Sequence, residues 1–318
     1  MKIWLAIFFS VLSLTSVRAD GITFATDWKA QAEHGGFYQA LANGYYQAEG
    51  LKVTIRPGGP GSDNPRLLAA GALDIAIASN SFQPINMLSA GVDVKVVMAS
   101  FQKDPQILML HPDDPADSFD QLQGRPIFIS DAAIAAFWPW MKSKFGYKDQ
   151  QIRKYTYSLA PWLVNKGTVQ EGYVSSEPFS ARQAGITPKV LLFADAGYPG
   201  YSGMVMVNNS YLKDNRQTVT AFVRASIKGW IDYLYGDPAP ANKLILHDNP
   251  EMTPELLSFA INEIRSRGIA GDKETLGSMS VTRWETFYKE MSNLGAVEKG
   301  VNVNNLLVPD LVPGLIHD

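Results

Sequence analysis

Ile22-Thr23-Phe24-Ala25-Thr26, Leu51 to Ile55, Leu73 to Ala78 and Val94 to Ala99 are four apolar, β-rich runs, and the stretch 22–99 that holds them decides the fold. Segments with helical spacing lie between them. Gly35 to Ala48 places Phe37, Leu41 and Tyr45 along one face, and Pro65 to Ala70 and Pro84 to Ala90 read as two further helices. Pro57-Gly58-Gly59-Pro60-Gly61 closes the second strand as a turn. Strands alternating with helices predict an α/β fold with a mostly parallel sheet covered on both faces.

The rhythm restarts further along. Ile107 to Leu110, Pro126 to Ile129, Ile152 to Thr156, Gly172 to Val174, Val190 to Phe193 and Met204 to Val207 read as strands. Helices are expected over Ile134 to Phe145 and Ala160 to Lys166. From Asn209 onward the chain is mainly helical: Gln217 to Leu234, Ala239 to His247, Pro254 to Arg267 and Val281 to Leu294. Two α/β lobes follow, each a sheet with helices on both faces. The first takes residues 20–103 and 202–318, and the second takes residues 104–201. Two crossings join them, near Gln102-Lys103-Asp104-Pro105 and Ala196-Gly197-Tyr198-Pro199-Gly200. Their Pro and Gly content suits segments that absorb a hinge rotation.

The first residues set the expected compartment. Lys2 precedes an apolar run from Ile3 to Leu14, and Val17-Arg18-Ala19 supplies a small-residue exit. This is the pattern of a cleavable secretory signal over residues 1–19. The run is shorter than the roughly 20 residues that span a bilayer. The chain has no cysteine. Disulfides, thiolate metal sites, cysteine nucleophiles and a lipid-bearing thiol are therefore excluded. Residues 20–318 carry 26 basic against 31 acidic side chains, a poor balance for nucleic acid. No signal for an oligomer is present, and a monomer is expected.

Familiar catalytic signatures are missing. His34, His111, His247 and His317 form no H-E-x-x-H, and no G-x-S-x-G elbow occurs. Gly58-Gly59-Pro60-Gly61 lacks the Gly-Lys-Ser/Thr of a phosphate loop. No metal or cofactor is expected. His34 with Asp27 and Ser79 could imitate a triad, but a His before Gly-Gly more often packs or hydrogen-bonds.

In open α/β sheets, ligands sit beyond the carboxyl ends of the strands. Asp27-Trp28 and Glu33-His34 follow the first strand, and Ser79-Asn80-Ser81-Phe82 follows the third. Ser130-Asp131 and Phe137-Trp138 follow Ile129, Ser175-Ser176-Glu177 follows Tyr173, and Tyr198 lies in the second crossing. Trp28, Phe82, Trp138, Tyr173 and Tyr198 offer ring faces, Asp27, Asp131 and Glu177 offer acceptors, and His34 and Asn80 offer further polar groups. Lys29 is the one cation directly within these loops. Carboxylates at helix starts repel an anion. The set fits a flat, neutral or cationic ligand with N–H donors, stacked between rings. Each member also has a plainer role open to it, the aromatics as packing residues and Asp131 and Glu177 as helix caps.

Asp27-Trp28, His34-Gly35-Gly36-Phe37-Tyr38-Gln39-Ala40, Gly44-Tyr45-Tyr46 and Glu49-Gly50-Leu51 resemble the opening of the thiamine-pyrimidine family. That family joins periplasmic binding proteins for thiamine pyrimidine precursors with fungal pyrimidine synthases, and is related to the nitrate/sulfonate/taurine binding proteins. Leu67-Leu68-Ala69-Ala70-Gly71-Ala72-Leu73-Asp74 fits the same pattern. The resemblance implies the two-lobed periplasmic-binding-protein fold and capture of a small solute for an ABC permease. The synthases carry a pyridoxal-phosphate lysine, a sacrificial histidine and a cysteine-rich iron site. The matching places here hold Ala78, Phe82 and Gly197-Tyr198-Pro199-Gly200-Tyr201. The binding branch is therefore implied rather than an enzyme. In that branch Glu177 is the implied partner of an amine or ring nitrogen, and Trp28, Trp138 and Tyr173 are the implied stacking residues. The alternatives left open are a flavin, a sulfonate, nitrate or an aromatic acid in the same fold, an enzyme using His34, and a sensor subunit.

Overall fold

A computed structural model of the chain describes residues 21–308, 310 and 311. The signal segment expected over residues 1–19 lies outside the described residues. Among the described residues, ten strands build two five-stranded sheets. They are β1 (Ile22–Ala25), β2 (Val53–Arg56), β3 (Ile75–Asn80), β4 (Val94–Phe101), β5 (Gln106–Leu110), β6 (Ile127–Ile129), β7 (Ile152–Lys154), β8 (Val169–Tyr173), β9 (Lys189–Leu192) and β10 (Ser202–Asn208). The first sheet has the order β2-β1-β3-β10-β4 and the second β7-β6-β8-β5-β9. β1 pairs parallel with β2 and β3, and β6 with β7 and β8. One strand in each sheet runs against the rest. β10 is antiparallel to β3 and β4, and β5 to β8 and β9. Each antiparallel strand enters directly from a crossing, at residues 102–105 for β5 and 193–201 for β10.

The sequence explains the strand positions. β5, flanked by partners on both sides, is buried at every residue, as a doubly covered strand must be. β7 lies at a sheet edge and carries exposed Arg153 and Lys154, charges that discourage pairing with another chain. The helix expected over Ile134 to Phe145 is two helices, Asp131–Ala136 and Trp138–Phe145. Pro139 lacks the N–H that would continue the first into the second.

Glycine sets the first lobe's tightest contact. Helix Gly35–Ala42 packs on the long helix Arg216–Tyr235. A Cβ on Gly35 would lie 2.0 Å from the Tyr233 ring, and one on Gly36 2.1 Å from the Trp230 ring. From the opposite side, a Cβ on Gly229 would stand 2.2 Å from the Gly36 carbonyl oxygen. Only glycine allows so close an approach.

Helix Val281–Asn293 fastens the second crossing. Its Arg283 guanidinium donates to the Pro199 and Gly200 carbonyls at 2.6 and 2.8 Å and covers the Tyr201 ring at 3.9 Å. Lys103 and Asp195 join the two crossings at 3.2 Å. Among the described residues no helix is long and apolar enough to cross a membrane.

Candidate functional site

The first lobe's face of the cleft is built after β1. A short 3₁₀ turn, Ala32–His34, delivers Glu33 and His34 into helix Gly35–Ala42, whose glycines seat it firmly. Both side chains are buried. His34 Nε2 donates to Asp27 Oδ1 at 2.9 Å, which leaves the buried Nδ1 without a partner. Burial pushes the Asp27 carboxyl up, but the His34 hydrogen bond and charge and a hydrogen bond from Ser79 outweigh it, so Asp27 lies below its usual value. Gly58 explains the glycine-rich turn after β2. Its N–H donates to the Trp28 carbonyl at 3.0 Å, and a Cβ there would meet the Thr26 carbonyl oxygen at 2.5 Å. The turn therefore braces Asp27 and Trp28 from beneath.

The second lobe's face is built after β7 and β8. Glu177, the first residue of helix Glu177–Gln183, accepts from the Tyr155 hydroxyl at 3.1 Å and from the Tyr173 N–H at 2.7 Å. Its side chain lies on Gly172, where a Cβ would stand 2.6 Å from Glu177 Cγ. Any larger residue at 172 would displace the carboxylate. Burial pushes Glu177 above its usual value. Behind it, Glu171 accepts from Gln106 Nε2 at 2.7 Å and from the Ser130 N–H at 3.1 Å. Burial and then the Glu177 charge push Glu171 up to about 8.

The lobes touch across the cleft. The Ser175 hydroxyl of the second lobe donates to Glu33 of the first. Burial raises Glu33 above its usual value. The Trp28 and Tyr157 rings meet from opposite lobes with centroids 5.2 Å apart, and Phe179 meets Phe259 at 5.5 Å. In the first crossing, Asp104 is fully buried, with Oδ1 accepting the Gln106 N–H and Oδ2 unpartnered. Burial pushes Asp104 up to about 7. The cleft therefore offers acceptors in quantity, and ring faces beside them. Among the described residues no group of three or more His, Asp or Glu side chains is placed to hold a metal ion.

Of the residues expected in the site, Asp27, Trp28, His34, Tyr173 and Glu177 lie near one another where the two lobes meet. Asn80 ends β3 opposite Ser202, and its Oδ1 accepts the Phe82 N–H at 3.1 Å, a local turn contact. The other four have partners of their own. Phe82 is buried edge-on against Phe287. Trp138 is buried against Tyr147 and donates to Asp149 at 2.8 Å within the second lobe. Tyr198 packs among Phe137, Trp140 and Phe287; its buried hydroxyl has no partner. Asp131 is exposed and pairs with Lys154 at 3.1 Å, while Ser130 caps its helix. Aromatic bulk drew Phe82 and Trp138 into lobe cores, Tyr198 is buried in the crossing near Tyr173 and Asp104, and Asp131 pairs with a lysine at the surface.

Tyr155 and Tyr157 were missed. The strand was expected to run to Thr156, which placed Tyr155 inside it; β7 ends at Lys154, and the rule of reading the residues after each strand then points straight at Tyr155-Thr156-Tyr157. Glu33 and Ser175 stood in the loops that were read, but nothing in either loop alone showed that they meet.

Known proteins frame this geometry. A relative from Chloroflexus aurantiacus, a riboflavin-binding protein, is 27% identical over 312 residues, covering 92% of this chain and 86% of that protein. A formylaminopyrimidine-binding protein from Halalkalibacterium halodurans is 27% identical over 271 residues, covering 79% of each. The alkanesulfonate-binding protein of Xanthomonas axonopodis pv. citri, solved with MOPS, shares the fold with a TM-score of 0.68 at 13% identity, covering 91% of this chain and 98% of that one. The two-lobed fold is thus that of periplasmic binding proteins. The NMT1/THI5-like family profile matches residues 31–241, and the chain belongs to that family.

Proposed function

We propose that this chain is a non-catalytic solute receptor for an ABC importer, working in the periplasm, and that its solute is a small aminopyrimidine of the thiamine-precursor class. The two lobes enclose the solute by rotation about the two crossings, and the closed form docks on a membrane permease. Glu177 carries the reading. Tyr155 and the Tyr173 N–H fix its carboxylate in place, and a carboxylate with two donors still has lone pairs to give. An exocyclic amine beside a ring nitrogen that has taken up a proton matches such an acceptor. Tyr173 and Trp28 supply ring faces, and the unpartnered His34 Nδ1 supplies a further polar contact. The cleft's excess of carboxylates disfavours a sulfonate or nitrate. The relative that binds formylaminopyrimidine supports the same reading.

A second reading is riboflavin. The relative named for it spans 92% of this chain, and its larger ring would use the same aromatic faces. The experiment that separates them is a thermal-shift and calorimetric panel on residues 20–318, with a hydroxymethyl- and a formamidomethyl-aminopyrimidine, riboflavin and an alkanesulfonate. A ligand at 100 times its Kd adds about 2.7 kcal/mol of stability, a shift of about 2–4 °C per kcal/mol for a chain of this size. Response to an aminopyrimidine is expected. Response to riboflavin alone transfers the assignment to the second reading, and response to the sulfonate alone removes both.

A further inference from the structure

Tyr157 is the one non-glycine residue among those described with a left-handed backbone, at φ 62°. A tyrosine holds that conformation only when its surroundings enforce it, and such residues concentrate at ligand clamps and switch regions. Tyr157 is 56% exposed, so core packing is not what enforces it. Its two ring contacts are Tyr155, 5.4 Å away in its own lobe, and Trp28, 5.2 Å away in the other. The Trp28 contact is tilted by 45°. A heterocycle sandwiched between two rings needs about 7 Å between them, twice a 3.5 Å carbon contact. Trp28 and Tyr157 are therefore too close to hold a solute between them, and they stand together where the lobes meet, with Tyr157 exposed to solvent. Tyr155 directly links the pair to the interior, because its hydroxyl donates to Glu177.

We propose that Tyr157 is a gate. Its left-handed backbone aims the ring across the lobe boundary onto Trp28, so the pair covers the cleft mouth and sets how fast a flat solute leaves. This rests on the reading of the cleft as the solute site, but its first test needs no solute. Acrylamide quenching of Trp28 emission is isolated by subtracting the Trp28→Phe protein. Tyr157→Gly accepts the same backbone and removes the ring, so the Trp28 quenching constant should rise at least threefold. Tyr157→Phe restores the ring and should return quenching to the parent value. Tyr157→Ala removes the ring but keeps the backbone cost, so it should match Tyr157→Gly in quenching and melt at a lower temperature. An unchanged quenching constant in Tyr157→Gly overturns the proposal. With whichever of aminopyrimidine or riboflavin binds, stopped-flow release from Tyr157→Gly should be at least tenfold faster, and release within twofold of the parent also overturns it. If neither solute binds, the assigned solute falls while quenching alone still decides the gate.

Discussion

The two sheets follow one plan and carry different loads. In β2-β1-β3-β10-β4 and β7-β6-β8-β5-β9, the second and third places are matched parallel strands and the fourth is the strand entering from a crossing. In the first sheet, the loop after β1 supplies Asp27, Trp28, Glu33 and His34. In the second, the segment after the corresponding strand, β6, supplies the cap Ser130 and Asp131, which pairs with Lys154 of β7. The load there has moved to the loop after β7, with Tyr155 and Tyr157, and to the end of β8 and the helix that follows, with Tyr173 and Glu177. Equivalent topology therefore fixes where a site can be, and the packing partners of each loop decide which of the permitted loops is used.

The largest effect should fall on the glycine contact that seats the first lobe's loop. Gly36→Ala drives a methyl into the Trp230 ring. It should cost about 3 kcal/mol of unfolding free energy in urea, at the upper end for overpacking; a loss under about 1 kcal/mol would mean the helix pair can slide apart. Next comes the second lobe's equivalent, Gly172. Gly172→Ala should displace Glu177 and match Glu177→Gln in weakening an aminopyrimidine, by about 2 kcal/mol or thirtyfold, the range for a hydrogen bond to a charged group. Unchanged affinity by calorimetry in both variants would remove Glu177 from the site.

A pH profile sharpens the comparison. Burial raises Glu171 to about 8 and Asp104 to about 7. In the unfolded chain both ionise near 4, so between those limits the folded state binds more protons. Stability without solute should thus fall as pH rises from about 5 to about 8. Glu171→Gln should flatten that fall, and an equally steep profile in the variant would assign it to other groups. The smallest effects belong to Trp138 and Asp131, whose partners lie within the second lobe. Trp138→Phe should cost about 1 kcal/mol through its lost bond to Asp149 and Asp131→Asn under about 0.5 kcal/mol. Both should bind solute as the parent does, and a tenfold loss in either would return that residue to the site.

The alternation of strands and helices in 22–99, and its restart after residue 104, was enough to reach two α/β lobes, because each strand is a short apolar run closed by a turn. The site was only partly readable. Asp27 and His34 are local, seven residues apart and hydrogen-bonded, so their loop predicts them. Glu177 is likewise local to Tyr173. Trp138 and Phe82 looked identical in kind to Trp28, since an aromatic after a strand packs as readily as it stacks, and only long-range partners such as Asp149 or Phe287 separate the outcomes. Glu33 with Ser175 and Trp28 with Tyr157 are contacts between lobes, set by how two independently folded faces meet, and no local pattern encodes them.

The placement of β10 between β3 and β4 has a consequence for the order in which this chain assembles. Every strand of the second sheet lies within Gln106 to Leu192, uninterrupted, so that sheet can be completed as soon as β9 is available. The first sheet cannot. Its β3 and β4 have no hydrogen bonds to each other and wait with open edges until Ser202–Asn208 arrives from beyond the whole second lobe. Such long-range strand closure is slow, and unpaired edges invite association. The second lobe should therefore nucleate first, and a chain cut at residue 195 should yield one folded lobe attached to an aggregation-prone half-sheet.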